Sequence, residues 1–583
     1  MLQRAVALQQ QGQLRQAEKI YSRVLKAVPD QFDALNLLGT VKVQRGQAGE
    51  AYRLISAAIK VNPQVPDAWI NLGIALHALK RDGEALESLD KALALRPGDA
   101  GAFDHRGNVL LAMGRFQDAV AAFDQALSHG LRRPEIRLNR GIVLAALGRQ
   151  QEALAEFDAV LALVPAHPGA HYNRGIALFG LGRYTDAVAA YDRALSAAPD
   201  HAKALNNRGL ALQAVDRPSD ALASYRKAIA VQKDYADAHF NQSLALLTIG
   251  DFPRGFQEYE WRWRRSGMPA QRRGHGRPLW LGEYPLQRKT ILLQAEQGLG
   301  DTIQFVRYVP LLRKAGAKVV LEVQQELKPL LAQMAEYVVA RGEELPAFDV
   351  HCPVGSLPLA FKTVPEAIPA DIPYLAADQA RLAKWRARLG ELEGRRREGI
   401  AEDQVPRFRV AITWSGNLQH ANDRNRSIPF AGLAPLWSAP AIEFISIQRE
   451  LRSDDARMLA DEARITHLGS ELNDFADTAA VLALVDLVIT VDTSVAHLAG
   501  AMGRPVWILL PFAADWRWSQ ASETSRWYPS ARLARQPALG DWKSVIERVR
   551  ADLEHRADCA PQAYQPREDQ RAPSLPRREG GML

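Results

Sequence analysis

At 583 residues, 47 % hydrophobic and 24 % charged, the chain is long enough for three or four cores and too apolar for a disordered class. Its formal charge of +7 is not gathered into one run and no reader motif accompanies it, which excludes a nucleic-acid role while remaining compatible with peripheral contact at an anionic membrane. Two distant cysteines, Cys352 and Cys559, exclude a disulfide framework or a cysteine metal site. No stretch reaches the roughly 18 apolar residues of a membrane span, and the first residues lack a signal-peptide core, so the expectation is a soluble, cytoplasmic protein.

Alanine recurs at 17, 51, 85, 119, 153, 187 and 221, a constant spacing of 34. Glycine keeps the same period at 39, 73, 107, 141, 175 and 209, and a large side chain keeps it at Tyr21, Ile55, Leu89, Phe123, Phe157, Tyr191 and Tyr225. That is the period of a two-helix repeat, in which glycine lets the first helix lie close to its neighbour and the large side chain fills the space between helices. Pro29, Pro63, Pro97, Pro165 and Pro199 close the second helices, and the pattern slips at Leu131 and Lys233. These residues resemble the tetratricopeptide family. The resemblance implies a right-handed α-solenoid over residues 1–265, with residue 1 inside the first helix. Asparagine holds one more position, Asn71, Asn139, Asn173, Asn207 and Asn241, with Leu37 and His105 as exceptions. By the resemblance this position faces the concave groove, where a ladder of amides can grip the backbone of an extended peptide; asparagine is also common there in repeats of other functions. Gly250–Arg265, with Gly255 in place of the alanine and Tyr259, Trp261 and Trp263 among charges, reads as a capping helix.

Gly267–Pro285 reads as a linker, spanning 266–288, after which strands alternate with helices. Strands are expected at Thr290–Ala295, Lys318–Val323 and Phe348–His351, with a helix over Thr302–Ala315 after the turn Gly298-Leu299-Gly300-Asp301; this is half of a doubly wound sheet, residues 289–380. Gly298 and Gly300 allow a ligand close to the backbone, but Ile303 stands where a dinucleotide fingerprint needs its third glycine, which argues against a nicotinamide enzyme. Asp301 is either a helix cap or a general base at the mouth of a cleft.

Leu382–Glu402, within 381–406, reads as a charged, solvated helix and linker between two lobes. A second sheet, 407–555, is expected from Arg409–Thr413, Glu443–Ile447, Ile465–Leu468, Asp486–Val491 and Pro505–Leu510. The loop after its first strand, WSGNLQHANDRNRSIPF, holds Ser415, Asn417, His420, Asn422, Arg424 and Arg426, a set of donors and cations that suits a pyrophosphate. Asp492, Thr493 and Ser494 lie between a buried strand and the helix Val495–Met502, where a helix N-terminus attracts phosphate; an ordinary capped βαβ unit has the same pattern. The Pro-, Arg- and Gln-rich tail, 556–583, is expected to be disordered.

In that order, the GLGD turn, the WSGN loop and VDTSVAHLAG resemble the heptosyltransferase group, glycosyltransferase family 9, in its tetratricopeptide-bearing bacterial branch, over about residues 289–550. The resemblance implies a GT-B pair of facing Rossmann-like lobes. The donor, a nucleotide-sugar, is then held mainly by the C-terminal lobe and the acceptor mainly by the N-terminal one, with no metal or other cofactor. By it Asp301 is the base for an acceptor hydroxyl; Gly300 lies in the turn beside it; Ser415, Asn417, Asp492, Thr493, Ser494 and His497 hold the donor's phosphates; and Gln448 meets the nucleoside. The chain departs from the family where Ser494 and Val495 replace glycine and proline, and where the first loop lacks a phosphate-contacting lysine, with Arg424 or Arg426 in its stead. His497 also reads as a core histidine. Trp516, Trp518, Trp527 and Tyr528 read as a sugar-pocket lining or as hydrophobic closure between lobes, and His351 and Ser356 as acceptor-side candidates.

The function this implies is a metal-independent, inverting transfer of a sugar from a nucleotide-sugar to a glycan or protein acceptor presented by the repeats. Asp301 takes the acceptor proton while the helix dipole, hydroxyls and arginines stabilise the leaving diphosphate. The alternative is a scaffold for protein–protein interaction, whose transferase half has kept its fold and lost turnover; Ser494 and Val495 are in keeping with it.

Overall fold

The computed structural model describes residues 1–266, 276–369, 371–397, 408–420, 422–439, 442–520 and 522–558. The expected linker in its 267–275 part, the charged linker beyond 397 and the tail from 559 lie outside the described residues. Contacts divide the chain into two compact units, Met1–Ala211 and Leu212–Leu583.

The first unit is a tetratricopeptide solenoid of paired helices, from Leu2–Gln10 with Leu14–Ala27 to Pro168–Gly180 with Tyr184–Ala197, followed by Ala202–Ala214. Its periodic alanines are fully buried. A Cβ on Gly39 would run into Ile55, and one on Gly107 would fall 2.5 Å from Phe123, on Gly141 2.6 Å from Phe157 and on Gly175 2.5 Å from Tyr191. Glycine and large side chain are therefore two halves of one contact inside each repeat, and neither can change size alone. Second helices end at Ala27, Val61, Leu95, Leu163 and Ala197, each two residues short of its proline. Where Leu131 replaces proline, the helix stops at Ser128 and Gly130 turns the chain at φ +89°.

The second unit begins with repeat helices Pro218–Val231 and Ala236–Thr248, the capping helix Phe252–Tyr259 and a 3-10 turn, Glu260–Arg264. Two parallel sheets follow. The N-terminal lobe orders its strands β3-β2-β1-β4, with β1 Thr290–Gln294, β2 Lys318–Val323, β3 Tyr337–Ala340 and β4 Val350–Pro353. The C-terminal lobe orders its six strands β10-β9-β8-β5-β6-β7, with β5 Phe408–Thr413, β6 Ile442–Ser446, β7 Ile465–His467, β8 Leu487–Val491, β9 Val506–Leu510 and β10 Ala531–Arg535. The order reverses between β1 and β4 and between β5 and β8, and in open parallel sheets ligands bind beyond the carboxyl ends of strands at such points. The GLGD turn leaves β1, the WSGN loop β5 and the DTSVAH corner β8, so all three stand at those ends.

Several expectations are corrected. The stretch 276–288 is no free linker: Leu279 pairs with His351, Trp280 N–H bonds the His351 carbonyl at 2.9 Å, and Trp280 and Leu286 are buried. The helix expected over Thr302–Ala315 breaks into Leu299–Phe305, a 3-10 turn and Val309–Lys314, because Pro310 has no N–H to continue the first segment. The charged helix, Gln379–Arg397, is not solvated all round. Trp385 is buried and donates to Asp477 at 3.0 Å, Arg381 pairs with Asp474 and Arg388 with Glu471, which fix one face to the Phe475–Ala483 helix. Strands β3 and β10 were not expected. Among the described residues no helix is long and apolar enough to cross a membrane.

Candidate active site

The GLGD turn is closed by the Gly298 N–H, which donates to Asp301 Oδ2 at 3.1 Å and caps the Leu299–Phe305 helix. It lies directly on the start of the Ser494–Ala501 helix of the other lobe. A Cβ on Gly300 would sit 2.8 Å from His497 Cδ2 and 3.5 Å from Ser494 Cα. Gly300 is thus required by the approach of the facing lobe, a correction to its reading as room for a ligand. Asp301 and the DTSVAH corner are brought together.

Between them stands Arg517, which sequence reasoning passed over. Its guanidinium donates to Asp301 Oδ1, to Asp515 Oδ1 at 2.8 Å and to Gln304 Oε1 at 2.5 Å, and it lies 4.5 Å from the Trp516 ring. Burial works against its charge, but Asp515 and Asp301 more than offset that and hold it above the ordinary arginine value. The signal was an arginine between two tryptophans in DWRW, among side chains read only for their rings. Arg307 was also missed; it is buried against Tyr374, Trp527 and Tyr528 and donates to the Trp527 carbonyl at 3.0 Å.

At the corner, Thr493 caps the helix by accepting from Val495 N–H at 3.3 Å and ends a hydroxyl chain, Thr413 to Thr490 at 2.6 Å and Thr490 to Thr493 at 3.2 Å. Ser494 is the first helical residue, half-buried. Burial, then the nearby Asp515, pushes the Asp492 carboxyl up to about 6, although Trp518, Arg426 and Arg517 pull it back. Arg426 donates to the Asp492 carbonyl at 3.0 Å and packs so tightly under Gly416 that a Cβ there would meet Nη2 at 2.5 Å. Of the two arginines offered in place of lysine, Arg426 reaches the corner, while Arg424 is exposed. Asn417 is exposed, its Oδ1 accepting from Gln419 N–H at 2.8 Å, and Asn422 N–H donates to His420 Nδ1 at 3.1 Å.

Other candidates have structural employment. Gln448 accepts from the Trp414 and Ser415 N–H groups at 3.1 and 3.2 Å and donates to the Ser415 and Glu450 carbonyls at 3.1 Å. An amide has two donors and two acceptor sites, all consumed, so nothing remains for a nucleoside: the Gln448 expectation is corrected. Ser415 is buried under that clamp. His497 is buried, bonded through Nδ1 to the Tyr528 hydroxyl at 3.0 Å and stacked on Trp518 at 5.3 Å. Burial and then Arg517 keep it well below the usual imidazole range, hence neutral, and its place is between the lobes rather than on a phosphate. Trp516, Trp518, Trp527 and Tyr528 are all buried, with Phe252 and Phe256 of the capping helix 6.0 and 5.7 Å from Trp516, which decides for hydrophobic closure. His351 and Ser356 are buried too. Ser356 is spent on Arg262, which also bonds Glu296 at 3.0 Å, while Tyr259 exchanges hydrogen bonds with Gln297, the residue before the GLGD turn.

In the repeats, Asn71 donates to Asn36 at 3.1 Å, Asn139 to Asn108 at 2.8 Å, Asn173 to the Gly169 carbonyl at 2.8 Å and Asn207 to the Tyr172 hydroxyl at 3.4 Å, each half-buried. Asn241, in the second unit, is buried. Among the described residues no three His, Cys, Asp or Glu side chains are grouped as metal ligands would be.

Tetratricopeptide repeat families match residues 2–51, 37–100, 106–171 and 207–266, and, in a second description, 167–234; glycosyltransferase family 9 (heptosyltransferase) matches 444–510, from β6 to the end of β9. Tetratricopeptide repeats thus run across the N-terminal region, and a stretch near the C-terminus is similar to glycosyltransferase family 9. That segment, containing the DTSVAH corner, supports a glycosyltransferase-like function, and the repeats of this tetratricopeptide protein support protein interaction. Protein FlbA of Caulobacter vibrioides (strain ATCC 19089 / CIP 103742 / CB 15) is 26 % identical over 331 residues, 53 % of either chain, so the chain spans about half the length of that curated relative. Among solved structures, YrrB, described as a TPR protein with an unusual peptide-binding site, is 27 % identical over 32 % of this chain and 95 % of its own (TM-score 0.29). TTC0263, a thermophilic TPR protein of Thermus thermophilus, is 26 % identical over 31 % and 98 % (TM-score 0.27).

Proposed function

We propose that the α/β region is a metal-independent inverting glycosyltransferase using a nucleotide-sugar donor, and that the repeats hold its protein or glycan acceptor. The observation that carries this reading is the seating of the GLGD turn on the DTSVAH corner, which gathers Asp301, Arg517, Arg426, Thr493 and a helix N-terminus at the carboxyl ends of both sheets. The acceptor oxygen attacks the anomeric carbon, its proton passes to Asp301, and the bond to the diphosphate breaks on the opposite face. Charge growing on the diphosphate is met by the positive end of the Ser494–Ala501 helix, by Thr493 and by the two guanidinia. For Asp301 to accept a proton, Arg517 must first leave it, and the diphosphate is the competing anion that draws it away.

The second reading is the scaffold. The Asp301–Arg517 pair favours it, since both Asp301 oxygens are engaged, one by the cap and one by the guanidinium. Thermal shift with UDP, GDP, ADP and their sugar conjugates, followed by donor turnover in EDTA, separates the two. The enzyme reading expects a shift with one nucleoside diphosphate, and turnover that survives EDTA and falls by about 10²- to 10⁴-fold in Asp301→Ala. No shift with any of them supports the scaffold.

A further inference from the structure

In an open parallel sheet the ligand's place lies beyond the carboxyl ends of the two strands where the order reverses. In the N-terminal lobe those strands are β1 and β4, and a side chain of this same protein occupies the place. Arg262, from the turn Glu260–Arg264 that closes the repeats, is 1 % exposed. Its Nη2 donates to Glu296 Oε1 at 3.0 Å, two residues past β1, and to Ser356 Oγ at 2.7 Å, three residues past β4. Its Nη1 donates to Glu260 Oε1 at 2.6 Å and to the Tyr259 carbonyl at 3.2 Å. The fit is tight: a Cβ on Gly355 would sit 2.6 Å from Glu296 Oε1, which also accepts from the Gly355 N–H at 3.2 Å. The same segment is anchored on the last repeat helix, Ala236–Thr248. His239 Nδ1 lies 2.6 Å from Glu258 Oε2, its ring stacks on Trp261 at 3.8 Å, and Arg265 donates to Asp237 at 2.7 Å.

From there the segment reaches the turn that carries Asp301. The buried Tyr259 hydroxyl accepts from Gln297 Nε2 at 2.7 Å and donates to Gln297 Oε1 at 2.8 Å, so both ends of one amide are spent on it. Glu296 and Gln297 are the two residues before Gly298, whose N–H bonds Asp301. The lobe itself supplies Gln324, which donates to the Gln297 carbonyl at 2.8 Å and accepts from the Thr302 hydroxyl at 3.0 Å. Asp301 stands close enough for its charge to act on both tethered groups. Burial and then Asp301 push the Tyr259 hydroxyl up to about 12; burial raises the Glu296 carboxyl against the pull of Arg262, and Asp301 adds to that rise. With glycine at 298 and 300 the turn has little side-chain packing of its own, so the direction of Asp301 depends on what holds the stem below it. We propose that Tyr259 and Arg262 are positioning residues for Asp301: the segment that closes the repeats, and not the lobe alone, sets where the carboxylate points. The proposal rests on reading Asp301 as the base of a transferase, but the hold on the turn is measurable without turnover.

The test uses the full chain. Tyr259→Phe keeps the ring and removes the hydroxyl. Arg262→Lys keeps a cation that cannot span Glu260, Glu296 and Ser356, whereas Arg262→Ala would strand two carboxylates in a buried place and endanger the fold. Tyr225→Phe is the control, because the buried Tyr225 hydroxyl donates to Gln213 in the same way but within the repeats. Deuterium exchange read by mass spectrometry follows the peptides over 295–305, and donor turnover with whichever UDP, GDP or ADP sugar gives a thermal shift yields kcat and KM. In Tyr259→Phe and Arg262→Lys exchange over 295–305 should quicken by about 3- to 10-fold, the worth of one hydrogen bond, and kcat should fall by about as much with the donor KM unchanged. Tyr225→Phe should match the parent in all three readings. Unchanged exchange in either variant, or an equal rise in Tyr225→Phe, overturns the proposal. So does faster exchange with kcat unchanged, which would make the hold structural only. A parent that turns over no donor counts against the transferase reading alone, and faster exchange in both variants would still support the hold on the turn.

Discussion

Replacing Arg517 by methionine keeps an unbranched stem of similar bulk and removes the guanidinium, so the loss is electrostatic rather than a cavity. Three acceptors lose a donor: Asp301, Asp515 and Gln304. The Asp301 and Asp515 side chains are 21 % and 35 % exposed, so water rehydrates them and each loss stays below about 1 kcal/mol. Gln304 is different. It is fully buried and its Nε2 already lacks a partner among the described residues, so a bare Oε1 costs about 1–3 kcal/mol. Together the Leu212–Leu583 unit should lose about 2–4 kcal/mol. Arg517→Lys should recover little, because one ammonium cannot span three acceptors. Urea unfolding followed by tryptophan fluorescence reads this unit selectively, since of the 12 tryptophans only Trp69 lies outside it. A cycle with Asp301→Asn should give a coupling near 0.5–1 kcal/mol. An Arg517→Met midpoint equal to the parent's would refute the assignment of Arg517 as the bridge, and a coupling of zero would refute its pairing with Asp301.

Asp492→Asn should alter the pH dependence of stability. The native carboxyl, raised to about 6 by burial and Asp515 from an unfolded value of 3.8, holds its proton more tightly than the unfolded chain does. Stability from this group is present below pH 3.8 and lost as pH rises to about 6, so the variant should match the parent at pH 4 and exceed it by about 1–2 kcal/mol at pH 7, read from urea midpoints at both; parallel profiles would contradict this. Gln448→Leu leaves two strand-end N–H groups unpaired and should cost about 2–4 kcal/mol in the same assay. Gly141→Ala drives a methyl against the buried Phe157 ring and should cost the first unit about 1–3 kcal/mol, seen as a lower midpoint in circular dichroism at 222 nm. Asp301→Asn, which frees Arg517, should bind the nucleoside diphosphate about 2- to 5-fold more tightly by calorimetry while losing turnover; weaker binding would count against the competition between diphosphate and Asp301.

Periodicity made the solenoid legible, because each of its contacts repeats at 34 residues and a helix pair has one way to bury a glycine against a ring. The strands β1, β2, β5, β6, β8 and β9 were legible as apolar, β-branched runs buried on both faces. Strand β3, YVVA, is four residues long at a sheet edge with Tyr337 55 % exposed, and β10, ARLAR, alternates arginine with apolar residues; neither carries the continuous apolar run of a central strand. Turn chemistry marked where the site lies but not what each side chain does. Gln448 looks from the sequence like a free amide beyond a strand; only the fold reveals four backbone groups around it. Arg517 and Asp301 are 216 residues apart, and nothing local in either segment names the other.

The departure at Ser494 and Val495 acquires a physical context from the same contacts. The helix start that these residues form is packed under Gly300, the neighbour of Asp301, while Arg426 reaches the Asp492 carbonyl and Arg517 the Asp301 carboxylate. A carboxylate and a diphosphate are both anions, and in such a space they compete for the same cation. Arg517 is held by Asp515 and Gln304 as well as by Asp301, so it can exchange one partner without leaving its seat on Trp516. A donor diphosphate arriving at the corner would then do two things in one movement: neutralise itself on Arg517, and return to Asp301 the lone pair that a base needs. Under the proposed function the pair that looks like evidence for a dead enzyme would be the resting state of a live one, and the sign of the affinity change in Asp301→Asn tells them apart.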